Sequence, residues 1–273
     1  MNRNNLLVSL MFLVCSGLAF AQDPNYRLIE QDGHEIHLLT FDPEDFDIIE
    51  VKASDDQRKT VQSLAQEHKA YAAINGGYFD YKGKDQQKAK AVGALKIKGQ
   101  WFQPPGHMRG VLCWKADDQK PYFNRFTKKQ AKARCENFDY VVGGIPLLLK
   151  DKKPVDSSKE GMTNDFRNER HARTAVCAKK DGTWLWLVAS HSKAKDRPYL
   201  SKTIEGLTLK ELTDTLLKEG CVDAINLDGG GSSTLVIEDK VINKPAGDFN
   251  PITQSYEERA IYDAMVIVPK NNS

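Results

Sequence analysis

From Tyr26 to Val51 apolar and polar residues alternate, most clearly in HEIHLLTFDPEDFDIIEV, around a turn at Asp42-Pro43. This period-two pattern predicts a β-hairpin opening the domain. Thr60 to Ala70 switches to helical spacing, with Val61, Leu64, Ala65 and His68 on one stripe, and predicts a short helix with His68 on the surface of its last turn. YAAINGGYFD then reads as a short strand ending at Asn75 and broken by Gly76-Gly77. The lysine-rich YKGKDQQKAKA predicts a solvated loop. VGALKIKG and GVLCW predict strands on either side of Gln103-Pro-Pro-Gly106, and VVGGIPLLLKDKKPV predicts a strand pair around Gly143-Gly144. Between Lys150 and Arg170 the apolar pattern lapses, as in a mobile flap over a site or a partly ordered insertion.

The second half is patterned more strongly. RTAVCAKKDGTWLWLVAS predicts two strands joined at Asp181-Gly182, the second apolar on both faces and therefore central in a sheet. Thr208 to Glu219 predicts a helix with its stripe at Leu209, Leu212, Leu216 and Leu217, a Thr208/Glu211 capping box and a stop at Gly220. VDAINLDGGGSSTLVIEDKVI then reads strand, glycine turn, strand, tight turn, strand, and AIYDAMVIVP is a last strand. The sum predicts a mixed α+β fold, a strand-rich sheet core with a few packed helices in one domain over residues 22–273.

Composition narrows the setting. Residues 1–21 combine Arg3, an apolar run from Leu6 to Phe20 and the small-residue signature Ala19-Phe20-Ala21, and read as a secretory signal peptide. The run is shorter than the roughly 20 residues of a spanning helix, so a periplasmic or secreted protein with no transmembrane segment after cleavage is expected. With 39 basic against 37 acidic residues, no nucleic-acid partner is implied. Beyond the leader, Cys113, Cys135, Cys177 and Cys221 permit disulfides in any of three pairings, or buried thiols; none forms a CxxC pair of the zinc-binding kind.

NLDGGGSSTL, Asn226 to Leu235, sets three glycines and two serines directly after an aspartate. A nucleotide phosphate loop requires a lysine after its glycines and a helix beyond, and a nucleophile elbow requires a closing glycine and a helix. Here LVIE, a strand pattern, comes next, which excludes both. Residues two apart in a strand share a face, so Ala224, Asn226 and Asp228 point one way and Ile225 and Leu227 the other, into the core. Asn226 and Asp228 thus emerge together at a strand end, succeeded by glycines that leave room for a ligand. AINGGYFD repeats the device with Asn75, Gly76 and Gly77. In RTAVC, Arg173 shares a face with Ala175 and Cys177, where a guanidinium can grip a phosphate or carboxylate bidentately; an ordinary salt bridge is the plainer reading.

GGYF after a strand, RTAV, GLTLKELTDTLLKEG and NLDGGGSSTL, in this order, resemble the phosphodiester glycosidase family, whose animal member is a lysosomal N-acetylglucosamine phosphodiester glycosidase. The resemblance spans about Ala72 to Val268. It implies a hydrolase that releases a sugar joined through its anomeric oxygen to phosphate. By position Asn75, Gly76, Gly77, Arg173, Asn226, Asp228, Gly229, Gly230 and Ser232 match the shared motifs. Ser190-His191 stands where many relatives have an aspartate-glycine pair, Cys177 where a glycine is usual, and EERAIYDAM where Glu-Arg-Pro and an Asn-Ala pair are usual.

On this resemblance Asp228 is expected as nucleophile, general base or electrostatic stabiliser, and Arg173 as the phosphate holder. Asn75 and Asn226 would orient sugar hydroxyls, with Gly76, Gly77, Gly229, Gly230 and Ser232 completing the substrate-binding set. His191 is a candidate proton donor or a structural hydrogen bonder. Asp80 or Glu258 would supply the second carboxylate glycosidases use. No cofactor is assigned, although Asp228 is also a candidate ligand for a divalent cation such as calcium. The expected partner is a carbohydrate or sugar phosphate. Two alternatives stay open: an exopolysaccharide or cell-wall glycosidase acting on bonds without phosphate, and a non-catalytic carbohydrate-binding protein.

Overall fold

The computed structural model describes residues 23–31, 34–82, 85–106, 109–127, 130, 133–191, 206–253 and 255–270; the leader lies outside them. The alternating segments assemble into three main sheets, all of whose pairings are antiparallel. The first has seven strands in the order Asn25–Gln31, His34–Phe41, Trp184–His191, Arg173–Lys179, Cys221–Asn226, Leu147–Lys150 and Lys153–Pro154. The second runs Lys240–Val241, Leu235–Ile237, Ala72–Asn75, Asp263–Pro269 and Phe46–Lys52. The third runs Tyr122–Phe126, Arg109–Trp114, Tyr140–Gly144, Leu95–Ile97 and Gln100–Gln103.

One apolar core lies between the three. Trp184, Trp186 and Ile225 enter it from the first sheet, Ile48, Ile74 and Met265 from the second, and Trp114, Phe123 and Val142 from the third. Two of the buried tryptophan N–H groups find backbone acceptors: Trp114 donates to Ile48 O at 2.8 Å and Trp184 to Gln119 O at 3.1 Å. Two helices cover outer faces. Val61–Glu67, capped by the Thr60 hydroxyl, packs Val61, Leu64 and Ala65 on the second sheet, and Leu209–Lys218 packs Leu209, Leu212 and Leu216 on the first. The Thr208/Glu211 capping box is formed and Gly220 has a φ of 83°, so this helix starts and stops where its sequence signals it. The fold is the predicted strand-rich α+β type.

Four local expectations are corrected. The strands flanking Asp42-Pro43 are not a hairpin: His34–Phe41 pairs with Asn25–Gln31 in the first sheet, whereas Phe46–Lys52 belongs to the second. The lysine-rich stretch is not a loop, since Asp85–Ala91 pairs with Phe79–Lys82 and buries Ala89. The strands around Gly143-Gly144 do not pair with each other; Tyr140–Gly144 and Leu147–Lys150 lie in different sheets. Lys150–Arg170 is anchored rather than loose. Buried Glu160 accepts from the Gly110 and Leu147 amides, both at 3.3 Å, and Thr163 caps the helix Asn164–Asn168.

A disulfide joins Cys177 to Cys221 across neighbouring strands of the first sheet, while Cys113 and Cys135 remain buried thiols. The bridge closes a sequence separation of 44 residues. A cross-link of that span constrains the unfolded chain by up to about 4 kcal/mol. Replacing both Cys177 and Cys221 with alanine is therefore expected to lower unfolding free energy by about 2 to 4 kcal/mol, measured by urea denaturation of the two proteins side by side.

Candidate functional site

The site forms where strands of the first and second sheets end together. Asn75 closes the Ala72–Asn75 strand and is only 1% exposed. Its Nδ2 donates to Asp228 O at 2.8 Å, and its Oδ1 accepts from Thr174 Oγ1 at 2.7 Å and from the Thr234 amide at 3.3 Å. Both ends of this amide are engaged by protein, so Asn75 ties the two sheets. The Asp228 amide in turn donates to Gly76 O at 3.3 Å.

The three glycines after Asp228 meet separate requirements. Gly230 has a φ of 59°, the left-handed region that favours glycine. A side chain on Gly229 would place its Cβ 2.8 Å from Ala172 O, and one on Gly231 would meet the Arg259 guanidinium at 2.3 Å. The run folds as a single 3-10 turn, Gly230–Ser232, that packs against the start of the Arg173 strand, where the Gly230 amide donates to Ala172 O at 2.7 Å.

Arg173 is 1% exposed, yet no carboxylate pairs with it among the described residues. Its Nε donates to Leu207 O at 2.9 Å and its Nη2 to Phe166 O at 2.7 Å and Glu169 O at 3.3 Å, while its guanidinium lies over the Phe166 ring at 4.8 Å. Backbone carbonyls and an aromatic face thus hold a full positive charge in place without neutralising it. Burial lowers its pKa to about 10, so it remains charged at neutral pH.

Asp228 faces this region from the first sheet. Burial pushes its carboxyl up to about 6, against the opposing pull of the Ser232 hydroxyl, the Gly229 amide at 2.9 Å and the Arg259 charge. Tyr78 feels both charges: burial and then the Asp228 charge raise its phenol, and Arg173 lowers it. Asn226 donates to Tyr78 Oη at 3.1 Å and to Ile145 O at 2.7 Å. Among the described residues, buried Asn226 Oδ1 receives no donor, and the buried hydroxyls of Ser233 and Thr234 have no partner either. Buried polar atoms are ordinarily paired, so Asn226 Oδ1 is suited to bound water or to a hydroxyl of a ligand.

The remaining expected residues fall elsewhere. Asp80 is exposed on the Phe79–Lys82 strand, where it accepts from the Tyr81 amide. Glu258 accepts from the Gln62 amide at 3.0 Å and caps the Val61–Glu67 helix. His191 ends the Trp184–His191 strand, and its side chain lies outside the described residues. The carboxyls brought near Asp228 are instead Asp263 and, beside it, Glu50, on adjacent strands of the second sheet. Both carry a legible signal. Glu50 shares a face with the core residues Phe46 and Ile48, and Asp263 with Met265 and Ile267, so each is an acid on an apolar face. Among the described residues, no group of three or more His, Cys, Asp and Glu side chains is arranged to hold a metal ion.

A family model for phosphodiester glycosidase matches residues 68–268. Human N-acetylglucosamine-1-phosphodiester alpha-N-acetylglucosaminidase is 33% identical over 200 residues, covering 70% of this chain and 36% of that protein. The SPbeta prophage-derived uncharacterized protein YomE of Bacillus subtilis is 26% identical over 219 residues, 77% of this chain and 30% of that protein. The chain thus spans about a third of the length of these relatives. Among solved structures, the zebrafish N-acetylglucosamine-1-phosphodiester alpha-N-acetylglucosaminidase catalytic domain, auto-inhibited by its pro-peptide, superposes with a TM-score of 0.71 at 21% identity, covering 91% of this chain and 83% of that one. A putative exported protein of Burkholderia pseudomallei gives 0.66 at 14% identity, covering 86% and 74%. At these identities the structural likeness speaks for the fold.

Proposed function

The chain belongs to the phosphodiester glycosidase family, and from that membership we propose that it is an exported hydrolase cleaving the anomeric bond of a sugar phosphodiester in a glycan or cell-surface polymer. The observation that carries this reading is Arg173, a buried guanidinium held by carbonyls and lacking a counter-ion among the described residues. Such a group gains most from a ligand that brings a negative charge. A neutral glycosidic bond offers none, which favours a phosphodiester over a plain polysaccharide.

The chemistry is set by the leaving group. A phosphate monoester departs from an anomeric carbon with little need of protonation. The site has to neutralise phosphate charge, stabilise an oxocarbenium-like transition state and direct a nucleophile or water. Arg173 supplies the first function. Asp228 supplies the second or third, as an ionised carboxylate above a pH of about 6. Asn226 Oδ1 and the Ser232 hydroxyl orient sugar hydroxyls, and Tyr78, kept protonated, donates from its phenol.

The test is turnover of a sugar 1-phosphodiester in isotopically labelled water. Label in the released sugar supports anomeric C–O cleavage. Label in the phosphate product overturns it in favour of a phosphodiesterase, and saturable binding without turnover overturns it in favour of a carbohydrate-binding protein.

A further inference from the structure

Beneath the Gly76-Gly77 turn lie two carboxyl groups that the reaction as described does not use. Glu50 is fully buried and Asp263 is 1% exposed. Among the described residues, no N–H or hydroxyl donates to either oxygen of Glu50 or to Asp263 Oδ1. Asp263 Oδ2 accepts from the Gly77 amide at 2.8 Å, and the Gly76 amide donates to Asp263 O at 2.8 Å. The two side chains converge on one point: a Cβ on Gly76 would lie 2.1 Å from Asp263 Oδ2 and 2.8 Å from Glu50 Oε1.

Two ionised carboxylates cannot share such a space. With the Gly77 amide as their one protein donor among the described residues and both side chains buried, each would repel the other in a poorly screened interior. A single proton between them removes one charge and supplies the missing hydrogen bond at once. The cations and phenols facing the pair do not replace it. The Lys52 charge acts on Asp263, but its ammonium donates to Ala53 O at 2.9 Å and lies over the Phe102 and Tyr262 rings. Tyr140 from the third sheet and Tyr262 beside Asp263 both feel the acids as negative charge, and the remaining charged neighbour is Asp228 itself.

We propose that Glu50 carries this proton and donates it to an ionised Asp263, and that the pair acts as a positioning unit for Asp228. Through the Gly77 amide the pair fixes the turn whose Gly76 carbonyl receives the Asp228 amide. By holding one proton it limits the negative charge behind Asp228 to a single unit. The environment of each acid agrees with this placement: burial and the Asp263 charge drive Glu50 well upward, whereas burial raises Asp263 only to about 6, because the hydrogen bond from Glu50 and the Gly77 amide pull against it. The positioning role rests on the reading of Asp228 as the working carboxylate; the shared proton does not.

The experiment is carboxyl-carbon NMR of aspartate- and glutamate-labelled protein, without substrate, titrated from acid to neutral pH. Wild type, Glu50→Gln, Asp263→Asn and the double variant are compared, with Asp228→Asn used to assign the Asp228 signal. A glutamine amide can donate as the protonated glutamate does, so Glu50→Gln is expected to keep the Asp228 midpoint within a few tenths of a pH unit. The double variant removes the remaining charge and is expected to lower that midpoint by roughly one pH unit. Wild type should show one protonated carboxyl at neutral pH that is missing from Glu50→Gln. Two ionised signals at neutral pH in wild type, or a fall in the Asp228 midpoint with Glu50→Gln alone, would overturn the proposal. If Glu50→Gln fails to fold, Asp263→Asn carries the count of protonated carboxyls, and a neutral-pH spectrum of wild type with none decides against the shared proton. Because no turnover is read, failure here is separate from failure of the proposed reaction.

Discussion

Replacing Asp228 with asparagine is expected to lower kcat/KM on a sugar 1-phosphodiester by roughly 10²- to 10⁴-fold, the range associated with loss of a positioned acid–base group. The fold should survive, because asparagine Oδ1 can still accept from the Gly229 amide as Asp228 Oδ1 does at 2.9 Å. Stability should in fact rise. The Asp228 carboxyl sits at about 6 in the folded protein against about 3.9 in an unfolded chain, so the folded state binds the proton more tightly. Wild type therefore loses stability as pH rises from about 4 through 6 and carries the full cost above that, about 2 to 3 kcal/mol for this group. The asparagine variant lacks this slope. Urea denaturation at acid and neutral pH should show the two proteins converging in acid and separating at neutral pH, and wild-type activity should rise with pH through the same window. Equal turnover in the variant would remove Asp228 from the mechanism.

Replacing Arg173 with methionine is expected to separate binding of phosphate from folding. Methionine fills much of the space beside Phe166 without a charge, and the displaced cation had no counter-ion among the described residues to leave behind. Removing an unpaired buried charge relieves a desolvation cost, which offsets the hydrogen bonds lost at Leu207 O and Phe166 O. Stability should change by no more than about 1 to 2 kcal/mol. Turnover of a phosphodiester should fall roughly 10²- to 10³-fold, as for loss of a preorganised donor at a developing charge. Calorimetric affinity for the sugar 1-phosphate should fall with it. A neutral glycoside substrate that lost nothing, with phosphodiester turnover also unchanged, would point to bonds without phosphate.

Much of the scaffold was legible because its signals are local. The Leu209–Lys218 helix carries its stripe, its capping box and its glycine stop within one short segment, and it forms as read. The Asn226–Asp228 strand end was equally readable, since the residues after the glycines are patterned as a strand. Pairing depends on more distant information. Turn residues at Asp42-Pro43 say that the chain turns, but which sheet receives each flanking strand depends on partners more than a hundred residues away, at Trp184–His191 and Asp263–Pro269. The lysine-rich strand misled because its apolar positions are only Ala89 and Ala91, although Lys88 to Ala91 does alternate. In the site, Arg173 and Asp228 stood out by motif. Glu50 and Asp263 were missed although each breaks an apolar face, because a charge at the end of an alternating strand resembles a solvent-facing residue until its neighbours are known. The Phe166 ring over Arg173 had no signal at all in a segment without periodicity.

The Asn75 amide has a consequence for how such a protein can change. A single side chain binds the backbone after Asp228, the Thr174 hydroxyl and the Thr234 amide, so the hub of the site is also a rivet of the fold. Mutational drift there would damage stability before it altered chemistry. New substrate preferences are more readily reached through Phe166 and Arg259, where a side chain can be exchanged without unpinning two sheets.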